Sequence, residues 1–375
     1  MTLPPILTHA KDLAPLADEL RREAVIAVDL EADSMHSYRD KVCLIQFTTS
    51  QRDVLVDPLA CGDLSALKPI FADPGIRKIF HAGDYDIRSL HRDFGIEVIG
   101  LFDTMICSQF LGEERIGLAD VLGKYFSIEL DKKFQKADWS KRPLSPEMIA
   151  YAAEDTRHLH QLAILLEEKI NALDRLEWVK EEFALLEKVR HSESDGPLFL
   201  RIKGAALLDP LALAILEELL LWRNEVAQRR DTPVFKVFGN APLLQIARNA
   251  PRSLQGLVGI EGVSPRHVDR YGRQILQAVE RGLALPEAQR PRYPRPPRRE
   301  KDPAADKRLT KLKGWRKEMA ESLNMDPGIV INNALLEEIS RRAPQTSEQL
   351  AQVPMLKRWQ QKILGIGILQ TLNGK

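Results

Sequence analysis

The sequence predicts an α/β domain followed by an all-helical half, and three observations carry that prediction. Between residue 11 and about 190, short apolar runs of strand length are mixed with amphipathic helical stretches. From about residue 209 the pattern is helical throughout, and within it two segments repeat each other at one fixed offset. At 375 residues, with 44% hydrophobic and 29% charged residues, the chain has room for two or three domains with cores of their own.

Taken in order, residues 12 to 23 read as an amphipathic helix. The runs 25–30, 42–48 and 54–57 read as strands, with Ile79 and Phe80 starting a fourth. Helices then dominate, notably from Ser145, where Ser145 can cap, Pro146 suits the first helical position and Glu147 favours the positive end of the helix dipole. Residues 1–190 form the first predicted domain, and 191–208, polar at its start with two glycines, reads as a link. The helical half is predicted as two domains, 209–288 and 307–375, joined by a Pro/Arg-rich, semi-rigid connector over 289–306. Trp222 and Trp315 stand 93 positions apart, and the same offset relates Arg223 to Arg316, Ala227 to Ala320, Gly272 to Gly365, and Ile275 and Leu276 to Ile368 and Leu369. A duplicated module of about five short helices follows from that.

Lys plus Arg number 54 against 53 for Asp plus Glu, so net charge alone points to no partner class. Cys43, Cys61 and Cys107 form no C-x-x-C pair and no zinc-like cluster, which suits buried thiols in a reducing compartment. The first residues lack a charged n-region and a long apolar core, and no apolar run reaches membrane-spanning length, so the expected setting is cytoplasmic, without a membrane.

The chemistry is concentrated in three short stretches. In AVDLEADS, Asp29 and Glu31 sit two apart at the end of an apolar run, so a strand would present both carboxylates on one face. That closeness is unfavourable unless positive charge lies between them. In IFHAGDYDIRSL, an apolar pair runs into His81, then Asp84 and Asp86 where a helix starts. In YAAEDTRHL, Tyr151 and Asp155 are four apart and share one helix face. Singly, each has an ordinary explanation: a solvated carboxylate pair, a helix cap for Asp86, core packing for Tyr151, an ion pair with Arg157 for Asp155. Their joint occurrence outweighs those explanations.

The order D-x-E, H-A-x-x-x-D, Y-x-x-x-D resembles the three motifs of the tyrosine-bearing branch of the DEDD exonucleases, within a ribonuclease H-like fold. The segments LFDTMICSQFLG and LDKKFQKADWSKRPLS are similar to those joining the later motifs in the ribonuclease D family and its exosome-associated relatives. The helical stretch from LWRNEVAQRR to DRYGRQIL resembles the HRDC module; in the second copy, GIEGVSPRHVDRYG has diverged to AQVPMLKRWQQKILG. The resemblance implies a ribonuclease H-like exonuclease domain with a mixed sheet, followed by two all-α HRDC-type domains.

It further implies a metal-dependent 3′→5′ exoribonuclease that trims structured RNA, transfer RNA precursors in particular, and releases nucleoside 5′-monophosphates. Phosphodiester hydrolysis gains from two divalent cations roughly 4 Å apart, one at the attacking water and one at the leaving oxygen. Magnesium or manganese prefers the oxygen ligands that Asp29, Glu31, Asp86 and Asp155 offer. By the resemblance, Asp29 bridges the ions, Glu31 and Asp155 hold the one nearer the nucleophile, and Asp86 serves the other. Tyr151, with an ordinary pKa of about 10, suits orientation of a water better than proton abstraction. Gln46, His81, Lys132 and Arg142 are candidates to meet the terminal nucleotide, although His81 suits packing beneath the site better. Asp84 is a possible accessory to Asp86. Exposed arginines of the first helical copy and the connector, among them Arg266, Arg270, Arg273, Arg295, Arg298 and Arg299, suit phosphate contacts. A DNA exonuclease of the same superfamily shares the carboxylates, and a catalytically silent RNA-binding scaffold would share the fold.

Overall fold

The computed structural model describes residues 3–192, 195–294 and 302–374. Arg295, Arg298 and Arg299 of the connector lie outside the described residues. The chain divides into two compact units: Met1–Ala32, Val42–His191 and Glu300–Lys375 in one, Asp33–Lys41 and Ser192–Arg299 in the other.

The first unit is built on a six-stranded mixed sheet in the order β1-β4-β3-β2-β5-β6. Its strands are β1 (Ile6–Leu7), β2 (Val25–Ala32), β3 (Val42–Thr48), β4 (Asp53–Val56), β5 (Arg77–Phe80) and β6 (Leu101–Asp103). Strands β2, β3 and β4 pair antiparallel in sequence, while β5 and β6 join parallel on the other side of β2. β2 is therefore a central strand, and Ile26, Ala27 and Val28 are wholly buried as a continuous apolar run requires.

The helices of this part are α1 (Leu13–Leu20), α2 (Pro58–Cys61), α3 (Lys68–Ala72), α4 (Asp84–Phe94), α5 (Thr104–Phe110), α6 (Leu118–Phe126), α7 (Pro146–Arg157), α8 (Leu159–Ala172) and α9 (Leu176–Leu186). The first is shorter than the expected 12–23. α7 lies against β2, β3 and β4, and α8 against β2 and β5. Ser145 caps α7 by accepting the Met148 N–H, with Pro146 in the first turn, as the sequence predicts. A hydrogen bond between Thr48 Oγ1 and Thr156 Oγ1, 2.7 Å, pins α7 to β3.

The helical half consists of α10 (Pro210–Arg229), α11 (Val234–Val237), α12 (Asn240–Asn249), α13 (Leu254–Val258) and α14 (Pro265–Ala284), then α15 (Pro303–Leu323), α16 (Pro327–Val330), α17 (Asn333–Arg342), α18 (Ser347–Ala351) and α19 (Arg358–Asn373). Each helix of the second set begins 93 residues after its counterpart. The interior repeats as well. Arg223 Nη1 donates to Phe238 O at 3.1 Å and Asn240 Oδ1 at 2.6 Å, and Arg316 Nη1 donates to Ile331 O and Asn333 Oδ1, both at 2.9 Å.

Two expected boundaries move. The stretch 191–208 is not merely a link, because Phe199, Ile202, Ala205 and Leu208 are buried in the core of the first module. Its backbone is held there by Glu217, which accepts the N–H groups of Leu198 and Phe199. The connector likewise stops before residue 306. Asp302 accepts the Ala305 N–H and Pro303 occupies the first turn of α15, so a proline read as connector is a helix start. Among the described residues no helix is long and apolar enough to cross a membrane.

Candidate active site

β2 carries Asp29 and Glu31 on one face by its two-residue period, and the antiparallel register sets Asp29 opposite Gln46 and Glu31 opposite Leu44. α7 brings Tyr151 and Asp155, one turn apart, over the same face. One carboxylate oxygen each from Asp29, Glu31 and Asp155 lies within 4.8 Å of the others. Arg157, the expected competitor for Asp155, is instead engaged by Asp53 and Glu154.

Asp86 stands in the first turn of α4 and is buried. It is outside the three-carboxylate group, yet its charge is felt by Glu31 and it feels that of Asp29. The turn that delivers it is tight. Ala82 has φ 63°, and a Cβ added to Gly83 would lie 2.9 Å from the Phe80 Cβ, so glycine is required there. Asp103 at the end of β6 holds this turn, accepting the N–H groups of Gly83 at 2.8 Å and Ala82 at 3.3 Å while capping α5 through Met105 and Ile106. The sequence reading missed Asp103; the aspartate before the helical run TMICSQF was the available signal. Asp84 points away into an i,i+4 ion pair with Arg88, Nε to Oδ1 2.7 Å, and is exposed.

Burial dominates the electrostatics of the cluster. It lifts Asp29 to about 7 against a backbone hydrogen bond from Leu30. Burial and then repulsion from Asp29 and Glu154 lift Asp155 to about 8. Glu31 is raised well above the carboxylate range by burial, then by Asp29, Asp155 and Asp86. Asp86 is raised likewise by burial, then by Asp29, Asp103 and Asp84. Among the described residues none of the four makes an ion pair. Four crowded acidic groups with hard oxygen donors and no cationic side chain fit divalent cations such as magnesium or manganese. Burial, followed by the charges of Asp155, Glu31, Asp29 and Asp131, raises the Tyr151 phenol, which therefore keeps its proton at neutral pH.

The four candidate substrate contacts part company. Lys132 is exposed and lines a cavity of about 130 Å³ together with Leu118, Gln135, Tyr151 and Asp155, so it remains beside the site. Leu118 and Gln135 were not anticipated, since nothing in their local sequence marks them. His81 is partly buried: its Nδ1 pairs with Thr104 Oγ1 at 2.9 Å, and burial holds its pKa down.

Arg142 is a correction. All five of its N–H donors are spent within the protein. Nε and Nη2 clasp the Asp57 carboxylate, Nη2 also reaches Cys43 O at 2.7 Å, and Nη1 reaches Trp139 O and Lys141 O. That guanidinium braces the loop before α7 and has no donor left for a phosphate. Gln46 is a second correction, because it is fully buried and has no surface with which to meet a nucleotide.

The chain is similar to known proteins along its whole length. The model of the 3′-5′ exonuclease family, whose members are metal-dependent, matches residues 4–171, and the HRDC domain model matches 212–279 and 305–372. The crystal structure of Escherichia coli RNase D, an exoribonuclease involved in structured RNA processing, aligns with TM-score 0.74 and 27% identity, covering 100% of this chain and 99% of that one. The catalytic core of RRP6 from Trypanosoma brucei aligns with TM-score 0.65 and 32% identity over 76% of this chain and 81% of that one. Ribonuclease D of Gluconacetobacter diazotrophicus is 30% identical over 381 residues, which span 99% of this chain and 93% of that protein. Similarity that runs unbroken through the exonuclease fold and both helical modules reflects common descent of the whole arrangement, and the chain belongs to the ribonuclease D family of 3′→5′ exoribonucleases.

Proposed function

We propose that this exoribonuclease trims the 3′ ends of structured RNA, with transfer RNA precursors as the principal class, and releases nucleoside 5′-monophosphates with the aid of two divalent ions. The observation that carries this reading is the approach of one oxygen each from Asp29, Glu31 and Asp155 to within 4.8 Å, with buried Asp86 near enough for its charge to act on Glu31. Magnesium or manganese held by these four side chains supplies positive charge for the attacking and leaving oxygens of a phosphodiester hydrolysis. Structured RNA as substrate is supported by the similarity to Escherichia coli RNase D.

The chain's own residues then have distinct tasks. Asp29, central on β2, would serve both ions, Glu31 and Asp155 would hold the one on the nucleophile side, and Asp86 would hold the one on the leaving side. Tyr151, protonated at neutral pH, donates its hydroxyl hydrogen and orients the attacking water rather than removing a proton from it. Lys132 meets the terminal phosphate or sugar at the rim of the cavity. Residues 1–190 are the catalytic domain, and the modules at 209–288 and 307–375 support it. Cys43, Cys61 and Cys107 are buried thiols, which fits work in the reducing cytoplasm.

The test uses end-labelled transfer RNA precursor and a DNA of matched sequence, with magnesium or manganese, with and without chelator. The expected result is a single-nucleotide ladder on RNA that chelation abolishes. Tyr151→Phe lowers kcat about 100-fold, at the lower end of the effect of a positioned proton-transfer group, while manganese affinity and RNA binding stay within twofold. Wild-type turnover in that variant removes Tyr151 from the mechanism, and equal degradation of DNA removes the preference for RNA.

A further inference from the structure

Gln46 presents a problem the catalytic reading leaves unsolved. Its side chain is fully buried on β3, and neither the nitrogen nor the oxygen of its amide has a hydrogen-bond partner among the described residues. A buried amide without partners bears the full desolvation penalty of each group left unsatisfied. An apolar side chain of the same size would avoid that cost, and β3 uses apolar residues at Leu44, Ile45 and Phe47.

The direction of the side chain follows from its neighbours. Two residues along β3, Thr48 reaches Thr156 on α7, and two residues back, Leu44 packs in a cluster with Ala152 and Tyr151. Gln46 has the same facing, so it lies beneath α7 on the carboxylate side of the sheet. Directly opposite it in the β2–β3 register stands Asp29. Side chains paired across antiparallel strands have Cβ atoms about 4.5–5.5 Å apart, which is within reach of an amide hydrogen bond.

We infer that Gln46 is the positioning residue for Asp29: with cations held at the cluster, its amide N–H would donate to a carboxylate oxygen of Asp29 and fix the orientation in which that carboxylate binds them. This rests on the reading of Asp29 as a metal ligand. Side chains that orient ligands from behind typically alter metal affinity 10- to 100-fold when removed.

The experiment measures manganese binding to the full-length protein, by the loss of the free-ion electron paramagnetic resonance signal, alongside thermal melting of the metal-free protein. Gln46→Met, similar in volume but without donor or acceptor, is expected to weaken manganese affinity about tenfold while melting no lower than wild type. A purely structural glutamine gives the reverse pattern, a lower melting temperature with unchanged affinity, and that result overturns the inference. Gln46→Asn keeps the amide but withdraws it by one methylene; it carries the same test should the methionine variant not fold, with a similar loss of affinity expected and unchanged affinity again overturning the inference. Asp29→Asn separates the two levels. If it abolishes binding while the Gln46 variants bind normally, the metal site stands and the role of Gln46 falls. If wild type binds no manganese, both fall.

Discussion

The two helical modules share a backbone plan and differ in what one helix end is made for. In the first, Ser264 and His267 cap α14 themselves: Ser264 Oγ accepts the His267 N–H and His267 Nδ1 accepts the Ser264 N–H. At the matching position of the second stands Lys357, whose ammonium can accept nothing. Gln360 Oε1 still accepts the Lys357 N–H at 3.1 Å, but the first-turn N–H groups of Arg358 and Trp359 are accepted by Glu181 of α9, both at 2.9 Å. Lys357 turns to Glu182, Nζ to Oε2 2.6 Å, and Trp359 stacks on Trp178 with ring centroids 5.1 Å apart and planes at 10°. Arg266, Arg270 and Arg273 on α14 correspond to Trp359, Ile363 and Ile366 on α19. One copy presents a basic face there, and the other an aromatic and aliphatic one whose tryptophan is buried against the catalytic domain.

The strongest way to break that comparison is Trp359→Ala. Loss of a buried tryptophan is expected to destabilise the catalytic unit by about 3–5 kcal/mol, whereas Arg266→Ala at the equivalent exposed position stays within about 0.5 kcal/mol. Denaturant unfolding followed by tryptophan fluorescence measures both, and equal effects would dissolve the distinction. Lys357→Met comes next. It leaves Glu182 with the Trp359 Nε1 donor at 2.8 Å but without its ammonium, at an expected cost of about 1–2 kcal/mol, since the pair is only partly shielded from water. The same unfolding measurement in high salt is expected to narrow the gap. The smallest effect concerns RNA. Changing Arg266, Arg270 and Arg273 together to alanine is expected to weaken RNA binding about tenfold and to flatten its salt dependence by roughly two charges, with stability unchanged. Filter binding across a salt series reads this, and an unchanged slope would deny the first module its contact with phosphates.

Legibility in the sequence followed the range of the interactions. Asp29 with Glu31, and Tyr151 with Asp155, were readable because strand and helix periods alone set each pair on one face. The duplication was readable because a fixed offset survives divergence; the place where the copies part, around residue 357, was readable as divergence but not as the docking end of α19, because its partner lies on distant α9. What stayed hidden depended on distant contacts. Arg142 looks like a phosphate ligand until Asp57 and three carbonyl groups claim its donors. Gln46 looks like a strand-end amide until the register buries it opposite Asp29. Asp103 is a modest helix cap in sequence and the anchor of the Asp86 turn in space.

The cap that Glu181 lends to α19 has a consequence for the module taken by itself. A helix whose first-turn N–H groups are accepted by another part of the chain loses those partners when it is cut away, so the C-terminal module, expressed alone, is expected to fray at the start of α19. Its sister closes that helix end with its own Ser264 and His267, and takes from elsewhere in the chain a different element, residues 33–41, whose Tyr38 packs on its core and donates its N–H to Asp231.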